Sequence, residues 1–514
     1  MSLTRSVVGV SLVALMAVAA WPARPARAFC GFFVAGSDAK LTNNASQVVL
    51  MRKGNRTVMT MSNTYQGPPE GFAMVVPVPV VLQKENVKTL PADVFDRVDS
   101  LSAPRLVEYW EQDPCPPPLP PPMAGAVPEP MVMPTPAPPS KHKRERDLGV
   151  TVEARFVTGE YEVVILSARD SGGLETWLRQ EKYSIPQGAA AALAPYIRDK
   201  SKFFVAKVDI TKVKRDAQGV VQLSPLRFFF DANELRLPVR LGLLNAAGKQ
   251  DLLVYIIHPE SRFEVANYAN AFIPTNLEVA DGVRASFPAF FAELFDATVE
   301  RLGRKVVVTE YAWQTTSCDP CPTPPLSLDE LATLGLDVLE GIGAAGPAPS
   351  PPGTTKPSVA ARERTRAKPR PFFGSAPSWV LTRLHARYSK ETLAEDLIFR
   401  AAKPAMGGRA NWNGTNGDEG ASVSQTADGG INNFQGRYII RHYWTGPVAC
   451  ANPRYDVWGG PPANAVGSSA PIAAKGLATA PRGKIVLNTE VRSPVPLLGI
   501  AGKAPPRRQQ QRAK

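Results

Sequence analysis

The chain has 514 residues, 44% of them hydrophobic, which is enough for two or three domains with real hydrophobic cores. Its net charge of +13 would suggest a nucleic-acid-binding protein, but residues 141–146, 354–370 and 501–514 alone carry +3, +5 and +5. The segment 1–28 adds three arginines, so the rest of the chain carries −3, which argues against a fold built to bind a specific nucleic acid.

The segment 1–28 predicts a secretory signal peptide. Arg5 gives a short positive region, residues 7–21 are almost wholly apolar, and Ala26-Arg27-Ala28 is a small-x-small cleavage signal. An uncleaved membrane anchor is the alternative, but about 15 apolar residues are fewer than the roughly 20 that a span needs. We therefore expect export to the periplasm, outer envelope or medium, with no transmembrane span after the signal peptide.

Strand signals follow the signal peptide. Residues 48–51 and 57–61 are β-prone runs on either side of a turn in which Gly54 or Asn55 supplies a positive φ, which predicts a hairpin. Residues 72–81 have the composition of a buried strand. In the stretch 114–139 every second position on average is proline, and the stretch leads into the basic cluster 141–146, so it is predicted to be extended and disordered.

The middle and C-terminal parts alternate between strand and helix patterns. Asp170 or Ser171 is a plausible N-cap of the first helix, and Ser327 with Glu330 forms a capping box for a later one. Predicted strands are residues 161–168, 203–210, 226–230, 236–242, 252–258, 305–313, 379–388 and 437–444. Predicted helices start near residues 171 and 327 and cover residues 188–199, 285–295 and 391–402.

These elements predict an α+β fold of mostly antiparallel sheets with a few packed helices, interrupted by disordered Pro-rich segments. The basic flexible segments could meet an anionic envelope surface, although simple solvation of loose chain is the alternative. The predicted organisation is a signal peptide at 1–28, a β-rich part at 29–113, a Pro-rich and basic insertion at 114–146, an α+β part of the same domain at 147–344, a disordered basic linker at 345–371, a C-terminal α+β part at 372–458, and a disordered basic tail at 459–514.

One short pattern occurs twice. Glu108-Tyr109-Trp110 precedes Asp113-Pro114-Cys115-Pro116, and Glu310-Tyr311-Ala312-Trp313 precedes Asp319-Pro320-Cys321-Pro322. An ancestral duplication and convergent use of the same strand-ending residues are both compatible with this pattern.

Five cysteines remain after cleavage, and in an oxidising compartment most should be paired, with one left over. They are Cys30, Cys115, Cys318, Cys321 and Cys450. Cys318 and Cys321 form a C-x-x-C motif, but prolines follow it and the next helix starts only near Ser327, so no helix dipole would activate a thiol. A structural disulfide, within the motif or to Cys115, is favoured over redox catalysis, and a zinc site lacks further ligands.

Histidines and acids give no catalytic signature. His142 lies in a basic cluster, His258 ends a strand, and His442 is expected to be a half-buried strand histidine. Glu395 and Asp396 are adjacent on a predicted helix and so point apart. The motifs of zinc proteases, serine hydrolases and nucleotide-binding enzymes are absent, so no catalytic, cofactor-binding or metal-binding residues and no cofactor are predicted.

The loop 411–420 is rich in oxygen ligands and turn formers. A calcium site is conceivable there, but the order of ligands in an EF-hand loop is absent. We therefore predict a plain flexible loop.

Several short stretches of the chain are distinctive. They are Phe29-Cys30-Gly31-Phe32-Phe33, Gly54-Asn55-Arg56-Thr57, Tyr65-Gln66-Gly67, residues 72–79, residues 161–168, Leu384-His385-Ala386-Arg387-Tyr388 and Asp396-Leu397. With these stretches the chain resembles, over roughly residues 29–454, a bacterial exported family known as domain of unknown function 2330. The resemblance implies export and carries no catalytic or binding residues over to this chain.

Three hypotheses for the function follow. The first is a non-enzymatic envelope, periplasmic or secreted protein with a binding or structural role. The second is an enzyme without a recognisable motif that acts on envelope polymers, which a cleft gathering acids with His258, His385 or His442 would favour. The third is a thiol redox protein that uses Cys318 and Cys321.

Overall fold

The computed structural model describes twelve stretches of the chain. They are residues 32–35, 43–62, 64–65, 72–115, 150–209, 211–215, 221–340, 378–408, 424–425, 431–462, 470–474 and 480–503.

Strands are the main element. They are β1 (Phe32–Ala35), β2 (Asn43–Lys53), β3 (Arg56–Met61), β4 (Thr64–Tyr65), β5 (Phe72–Val78), β6 (Val87–Thr89), β7 (Arg105–Glu111), β8 (Val150–Thr158), β9 (Tyr161–Ala168), β10 (Lys202–Val208), β11 (Lys214–Arg215), β12 (Val221–Gln222), β13 (Leu226–Asp231), β14 (Leu235–Leu237), β15 (Ala246–His258), β16 (Arg262–Val265), β17 (Ala269–Phe272), β18 (Leu277–Glu278), β19 (Val306–Gln314), β20 (Val380–Tyr388), β21 (Leu397–Ala402), β22 (Ala405–Gly407), β23 (Ser424–Gln425), β24 (Asn433–Gln435), β25 (Arg437–His442), β26 (Trp458–Gly459) and β27 (Ile472–Ala473).

Helices are fewer and mostly short. The α-helices are α1 (Asp93–Ser102), α2 (Ser171–Gln180), α3 (Ala189–Arg198), α4 (Phe287–Arg301), α5 (Leu328–Leu331), α6 (Asp337–Glu340) and α7 (Leu487–Glu490). A π-turn (Ala332–Leu336) joins α5 to α6, and 3₁₀ turns cover Lys84–Asn86, Arg240–Asn245, Asp281–Ser286 and Pro496–Leu498.

The largest sheet draws its strands from distant parts of the sequence. Its order is β23-β22-β24-β19-β20-β15-β2-β3-β13-β6, with β17 paired to β19. β15 runs parallel to β2 and antiparallel to β20, so the parts of the chain before, between and after the two Pro-rich segments share one sheet. Most other pairs are antiparallel, which confirms the predicted α+β class with mostly antiparallel sheets.

The main core lies between this sheet and a second sheet with the order β1-β5-β10-β9-β8. Met74, Val76 and Phe204 from the second sheet pack against residues such as Val254 and Phe228 from the large one. The rings of Phe204 and Phe228 stack 5.4 Å apart across this interface. The two sheets therefore form a sandwich whose inner faces are apolar.

Helices cover both outer faces of the sandwich. α2 and α3 pack on the outside of the second sheet. α1 and the segment from α5 to α6 cover one end of the large sheet, and α4 packs at its other end against β19 and against β25 and β7 of a further sheet. This layer of α1 and α4 positions the polar cluster described below.

The capped helices and the N-terminal hairpin are confirmed. Gly54 has a φ of 58° in the turn between β2 and β3, Asp170 caps α2 through Gly173 N, and Ser327 and Glu330 form the capping box of α5. The helix after Ser327 is interrupted at Gly335, where a Cβ would lie 2.9 Å from Val58. Close packing against β3 therefore requires glycine at this point.

One predicted element is wrong, and another is shorter than predicted. Residues 391–402 were expected to be helical, but Leu397–Ala402 form strand β21, which pairs with β14 and β16. Leu397 and Phe399 are buried while Arg400 is exposed, so tertiary pairing overrides the helix propensity of this stretch. The predicted strand 236–242 is shorter than expected, because β14 ends at Leu237 and a 3₁₀ turn begins at Arg240.

Part of the predicted disordered tail is folded. Val491, Val495 and Ile500 are buried against α4, and Arg492 N donates a hydrogen bond to Glu278 O. The few apolar residues of this Pro- and Gly-rich stretch are sufficient for folding because they pack on the apolar face of α4. Most of the Pro-rich insertion, the linker 345–371 and the end of the tail lie outside the described residues, as does the signal peptide, and the predicted part boundaries stay predictions.

Candidate functional site

A row of charged side chains lies on β20. Successive strand residues point to opposite faces, so Leu384 and Ala386 enter the main core while Arg383, His385 and Arg387 face the layer of α1 and α4. Both Arg383 and His385 are almost fully buried, with side-chain exposures of 0% and 1%. Buried cations need partners.

His385 is held between two buried acids from the neighbouring strands. Its Nδ1 lies 2.5 Å from Glu310 Oε1 of β19, and its Nε2 lies 3.1 Å from Asp251 Oδ1 of β15. Phe295 of α4 stacks on the imidazole ring, with ring centroids 3.7 Å apart and an interplanar angle of 13°. The ring is therefore fixed in position and orientation.

Arg383 shares the carboxylate of Glu310. Its Nε donates to Glu310 Oε2 at 2.6 Å and its Nη1 donates to Asp99 Oδ1 of α1 at 2.6 Å. Tyr255 donates to the same Asp99 oxygen at 2.7 Å, and the guanidinium lies over the Tyr255 ring. Glu310 thus accepts from two cationic side chains at once, and α1 is tied to the sheet.

These contacts fix the protonation of His385 and Glu310. Burial lowers the pKa of His385, but Glu310 and Asp251 outweigh it and raise the pKa above its ordinary value. Burial raises the pKa of Glu310, but His385 and Arg383 outweigh it and lower the pKa. Each ring nitrogen of His385 faces a carboxylate oxygen, which accepts a hydrogen bond, so the geometry matches an imidazolium that donates from both nitrogens.

The outer rim of this cluster includes the C-terminal segment. Arg482 donates to Asp251 at 3.0 Å and to Asp296 of α4 at 2.8 Å, and Arg387 also lies 3.4 Å from each of these two acids. Burial raises the pKa of Asp296 against the effect of both arginines. We call Asp99, Asp251, Asp296, Glu310, Arg383, His385, Arg387 and Arg482 the charge cluster; it contains four acids and four bases.

The charge cluster is poorly arranged for acid–base catalysis. A general base needs a free lone pair within reach of substrate, whereas both nitrogens of His385 are committed to carboxylates and the ring is sealed by Phe295. The adjoining cavity has a volume of about 80 Å³ and reaches Asp296 and Arg387 at the rim. The arrangement instead joins three strands, two helices and the C-terminal segment.

This protonation state gives a testable pH dependence. Because the folded pKa of His385 lies above its ordinary value of 6.5, its contribution to stability is fully present below pH 6.5 and is lost as the pH rises through the folded pKa. We expect the free energy of unfolding to fall as the pH rises from 6.5 to the folded pKa of His385, with a slope of up to about 1.4 kcal/mol per pH unit. Urea titrations of the wild type and of His385→Gln at several pH values measure this slope.

His258 provides the matched control, because burial lowers its pKa. Its folded state binds the proton less tightly, so its contribution to stability rises with pH from the lowered folded pKa up to about 6.5 and is constant above that, and His258→Gln should remove this rise. A His385→Gln variant that keeps the wild-type slope above pH 6.5 would show that the folded pKa of His385 is not raised.

The other histidines have separate environments. His258 Nδ1 accepts from the backbone N of Glu260 and Ser261, at 3.2 and 3.1 Å, and so caps a turn. His442 is half-buried as expected; it stacks on Trp110 and lies 2.9 Å from Glu108 Oε2. Among the histidines that the structure describes, only His385 is brought together with several acids, as a sealed cluster rather than a cleft.

The remaining candidates do not form a second site. Glu395 and Asp396 precede strand β21 and do not lie on a helix. Asp396 is buried and accepts from Tyr196 OH at 2.6 Å, whereas Glu395 is exposed. The two carboxylates therefore lie in different environments. His142, Cys30 and the loop 411–420 lie outside the described residues. Within the part of the chain that is described, no group of three or more His, Cys, Asp or Glu side chains has the geometry of a metal site.

The repeated Glu-Tyr pattern has similar contacts in two different settings. Glu108 on β7 reaches His442 on β25, and Glu310 on β19 reaches His385 on β20. However, β7 and β25 run parallel while β19 and β20 run antiparallel. The different strand orientation favours convergent use of the pattern over duplication.

Four cysteines are joined in two disulfides. Cys115 is bonded to Cys450, with Cα atoms 5.6 Å apart and a sequence separation of 335. Cys318 is bonded to Cys321 within the C-x-x-C motif. Arg105 Nη1 donates to Pro320 O at 2.7 Å and fixes this loop, and α5 begins only at Leu328, so the motif has no helix N-terminus to activate a thiol.

Most residues of the charge cluster have no local sequence signal. The alternation of Arg383, His385 and Arg387 with aliphatic residues was visible, but in a strand it normally indicates a solvent face. Their partners Asp251 and Asp296 are far from them in sequence, and Arg482 lies in a stretch that was expected to be disordered.

Comparisons with known proteins give one result. A family model described as an uncharacterised protein conserved in bacteria (DUF2330) matches residues 24–400. No functionally curated protein and no solved structure matches the chain. None of the helices in the described part of the chain has the length and apolar content needed to cross a membrane. The chain belongs to the DUF2330 family of bacterial proteins.

Proposed function

We propose that the protein is exported across the bacterial inner membrane and has a binding or structural role in the periplasm, outer envelope or medium. The observation that carries this proposal is the disulfide between Cys115 and Cys450. Structural disulfides persist in oxidising compartments and are rare in the cytosol, where thiols are kept reduced. The apolar leader at residues 7–21 and the cleavage signal at residues 26–28 supply the route.

The charge cluster supports a structural role for its polar residues. Glu310 and His385 have side-chain exposures of 0% and 1% and neutralise each other. A buried ion pair contributes little net stability relative to apolar packing, but it makes the fold depend on one arrangement of its strands. The charge cluster would therefore specify how the strands and helices pack, which is the structural role proposed for these residues.

A motif-less enzyme and a thiol redox protein are the two alternatives to a binding or structural role. A motif-less enzyme acting on envelope polymers would need an accessible acid–base pair, and the acids nearest His385 are instead buried in the charge cluster. A thiol redox protein would need an activated Cys318 or Cys321, and prolines follow the motif where a helix would be required. Reaction of these cysteines with a thiol probe at neutral pH, without denaturant, would favour the redox alternative.

Fractionation of a bacterial host tests the export. We expect the full chain to appear in the extracytoplasmic fraction with Phe29 as its first residue, because cleavage follows Ala28. A chain that lacks residues 1–28 should stay in the cytoplasm, and replacing Ala26 and Ala28 with Leu should block cleavage, since small residues are required there. Equal distribution of the full and the leaderless chains between the two fractions would refute export.

A further inference from the structure

A cavity lies where β19 ends and β24 begins. It has a volume of about 450 Å³, which is within the roughly 300–1,000 Å³ typical of ligand-binding pockets. The last residues of β19, the loop of the C-x-x-C motif and the residues that lead into β24 line it. We call it the amide pocket, because Gln314, Asn432 and Asn433 are among the residues that line it.

Contacts within the protein hold the lining in place. Trp313 and Asn433 are paired residues of the antiparallel strands β19 and β24, so their side chains point to the same face of the sheet. Trp313 Nε1 donates to Ser317 Oγ at 3.2 Å, and Gln435 Nε2 donates to Asp319 O. The loop of the C-x-x-C motif is therefore attached to both strands, which lowers the cost of ordering the pocket when a ligand binds.

One buried polar atom of the lining has no partner. Asn433 Oδ1 makes no hydrogen bond to any described residue, and Asn433 as a whole is only 6% exposed. Buried polar atoms are normally hydrogen-bonded, so this acceptor calls for a donor from outside the described part of the chain. Beside it, Asn432 Oδ1 accepts from Ala405 N at 3.2 Å, so the amide nitrogen is the end of Asn432 that is left to donate to a ligand.

The lining carries little charge. Asp319 is the one acidic side chain among the described residues that line the amide pocket, and none of these residues is a lysine, arginine or histidine. A phosphate or carboxylate group would therefore approach a carboxylate without a cation in the lining to compensate it. An uncharged ligand avoids this repulsion, and its hydroxyl groups can still donate a hydrogen bond to Asp319.

We propose that the amide pocket binds an uncharged sugar. A hydroxyl group both donates and accepts, so the hydroxyls of one sugar ring would donate to Asn433 Oδ1 and to the Asp319 carboxylate and accept from the Asn432 amide. Trp313 and Ile431, which is 63% exposed, would contact the apolar C–H groups of the ring. This inference rests on the binding role proposed above and names the class of ligand.

Other ligands fit the amide pocket less well. An extended peptide binds by adding a strand to a free sheet edge, but β24 is already paired on one side with β19 and on the other with β22. A purely apolar ligand would leave Asn433 Oδ1 buried without a hydrogen bond. A metal ion would find one carboxylate, and the described residues contain no group of three side chains that could hold it.

Isothermal titration calorimetry of the purified mature chain tests the proposal. The ligands are glucose, galactose, mannose and N-acetylglucosamine, each compared with its 6-phosphate. We expect saturable binding of at least one neutral sugar and weaker binding of its 6-phosphate. Asn433→Leu should weaken binding of that sugar by about tenfold, because one hydrogen bond to the ligand is lost.

The same variant separates a binding role of Asn433 from a structural one. Its Oδ1 bonds to no described residue, so a leucine of similar size should leave the thermal unfolding temperature unchanged or raise it. Asn452→Leu is the matched control, because Asn452 is exposed and does not line the pocket. It should leave sugar binding unchanged.

Asp319→Asn tests the charge argument without a change in any strand. It removes the acidic side chain from the lining, so the difference in affinity between the neutral sugar and its 6-phosphate should become smaller. Absence of saturable binding for all four neutral sugars would overturn the proposal. So would wild-type binding by the Asn433→Leu variant, or tighter binding of a 6-phosphate than of its neutral sugar by the wild type.

The calorimetry uses purified protein, so its result is independent of the fractionation. Cytoplasmic retention of the full chain would refute the proposed function whatever the sugars show. Export without sugar binding would leave the proposed function standing and remove only the sugar as ligand.

Discussion

Replacing Glu310 with Gln is expected to lower the free energy of unfolding by about 3–5 kcal/mol. Glu310 is fully buried and accepts from both His385 and Arg383. With a neutral amide at this position, the His385 imidazolium keeps only Asp251 as a carboxylate partner, and the Arg383 guanidinium keeps only Asp99. Two buried cations therefore each lose one of their two carboxylate partners. Burial of an uncompensated charge is among the most costly single changes in a protein.

Glu300→Gln is the control for this prediction. Glu300 also binds an arginine, Arg304, but both side chains are more than half exposed. Solvent screens such a pair, so this variant should unfold at the wild-type urea concentration. Equal effects of the two replacements would show that Glu310 is not buried in an ion pair.

Removing the disulfide between Cys115 and Cys450 is expected to lower the free energy of unfolding by about 2–5 kcal/mol. Cys115 follows β7 and Cys450 follows β25, and these two strands are parallel neighbours. The bond therefore joins the ends of two adjacent strands that are far apart in sequence, and it restricts a very large loop in the unfolded chain.

The Cys318→Ser/Cys321→Ser variant is the comparison for Cys115→Ser/Cys450→Ser. Its disulfide spans a sequence separation of 3 and so restricts a much smaller loop in the unfolded chain. We therefore expect its removal to lower the free energy of unfolding by only about 2 kcal/mol. Urea unfolding of both double variants measures the two effects. A larger loss for the short loop than for the long one would contradict the assignment of the long-range bond as the main covalent constraint.

Local patterns predicted most of the strands and capped helices. Residues 161–168 and 203–210 are rich in β-branched and aromatic residues, and the neighbouring strands β9 and β10 occupy Tyr161–Ala168 and Lys202–Val208. Even the unassigned helix α1 carries a local signal, since Val94, Val98 and Leu101 recur at helical spacing and are buried. Such features depend on residues close in sequence, so they can be seen without the tertiary structure.

Features that depend on distant residues were not predicted. The helix propensity of residues 391–402 is outweighed by pairing of β21 with the sequence-distant strands β14 and β16. Arg383 and His385 on one strand look like a polar face, but α1 covers Arg383 through Asp99, and Phe295 of α4 covers His385. The tail residues Val491 and Ile500 are too sparse to indicate folding by themselves, and only the apolar face of α4 makes their burial favourable.

We propose that the protein is exported and that its disulfides form outside the cytoplasm. Peptide mapping of the protein recovered from the extracytoplasmic fraction, without reduction, tests it most directly. The predicted result is an N-terminus at Phe29 and a cross-linked peptide pair that contains Cys115 and Cys450. An intact leader together with thiol-reactive Cys115 and Cys450 in cytoplasmic protein would contradict it.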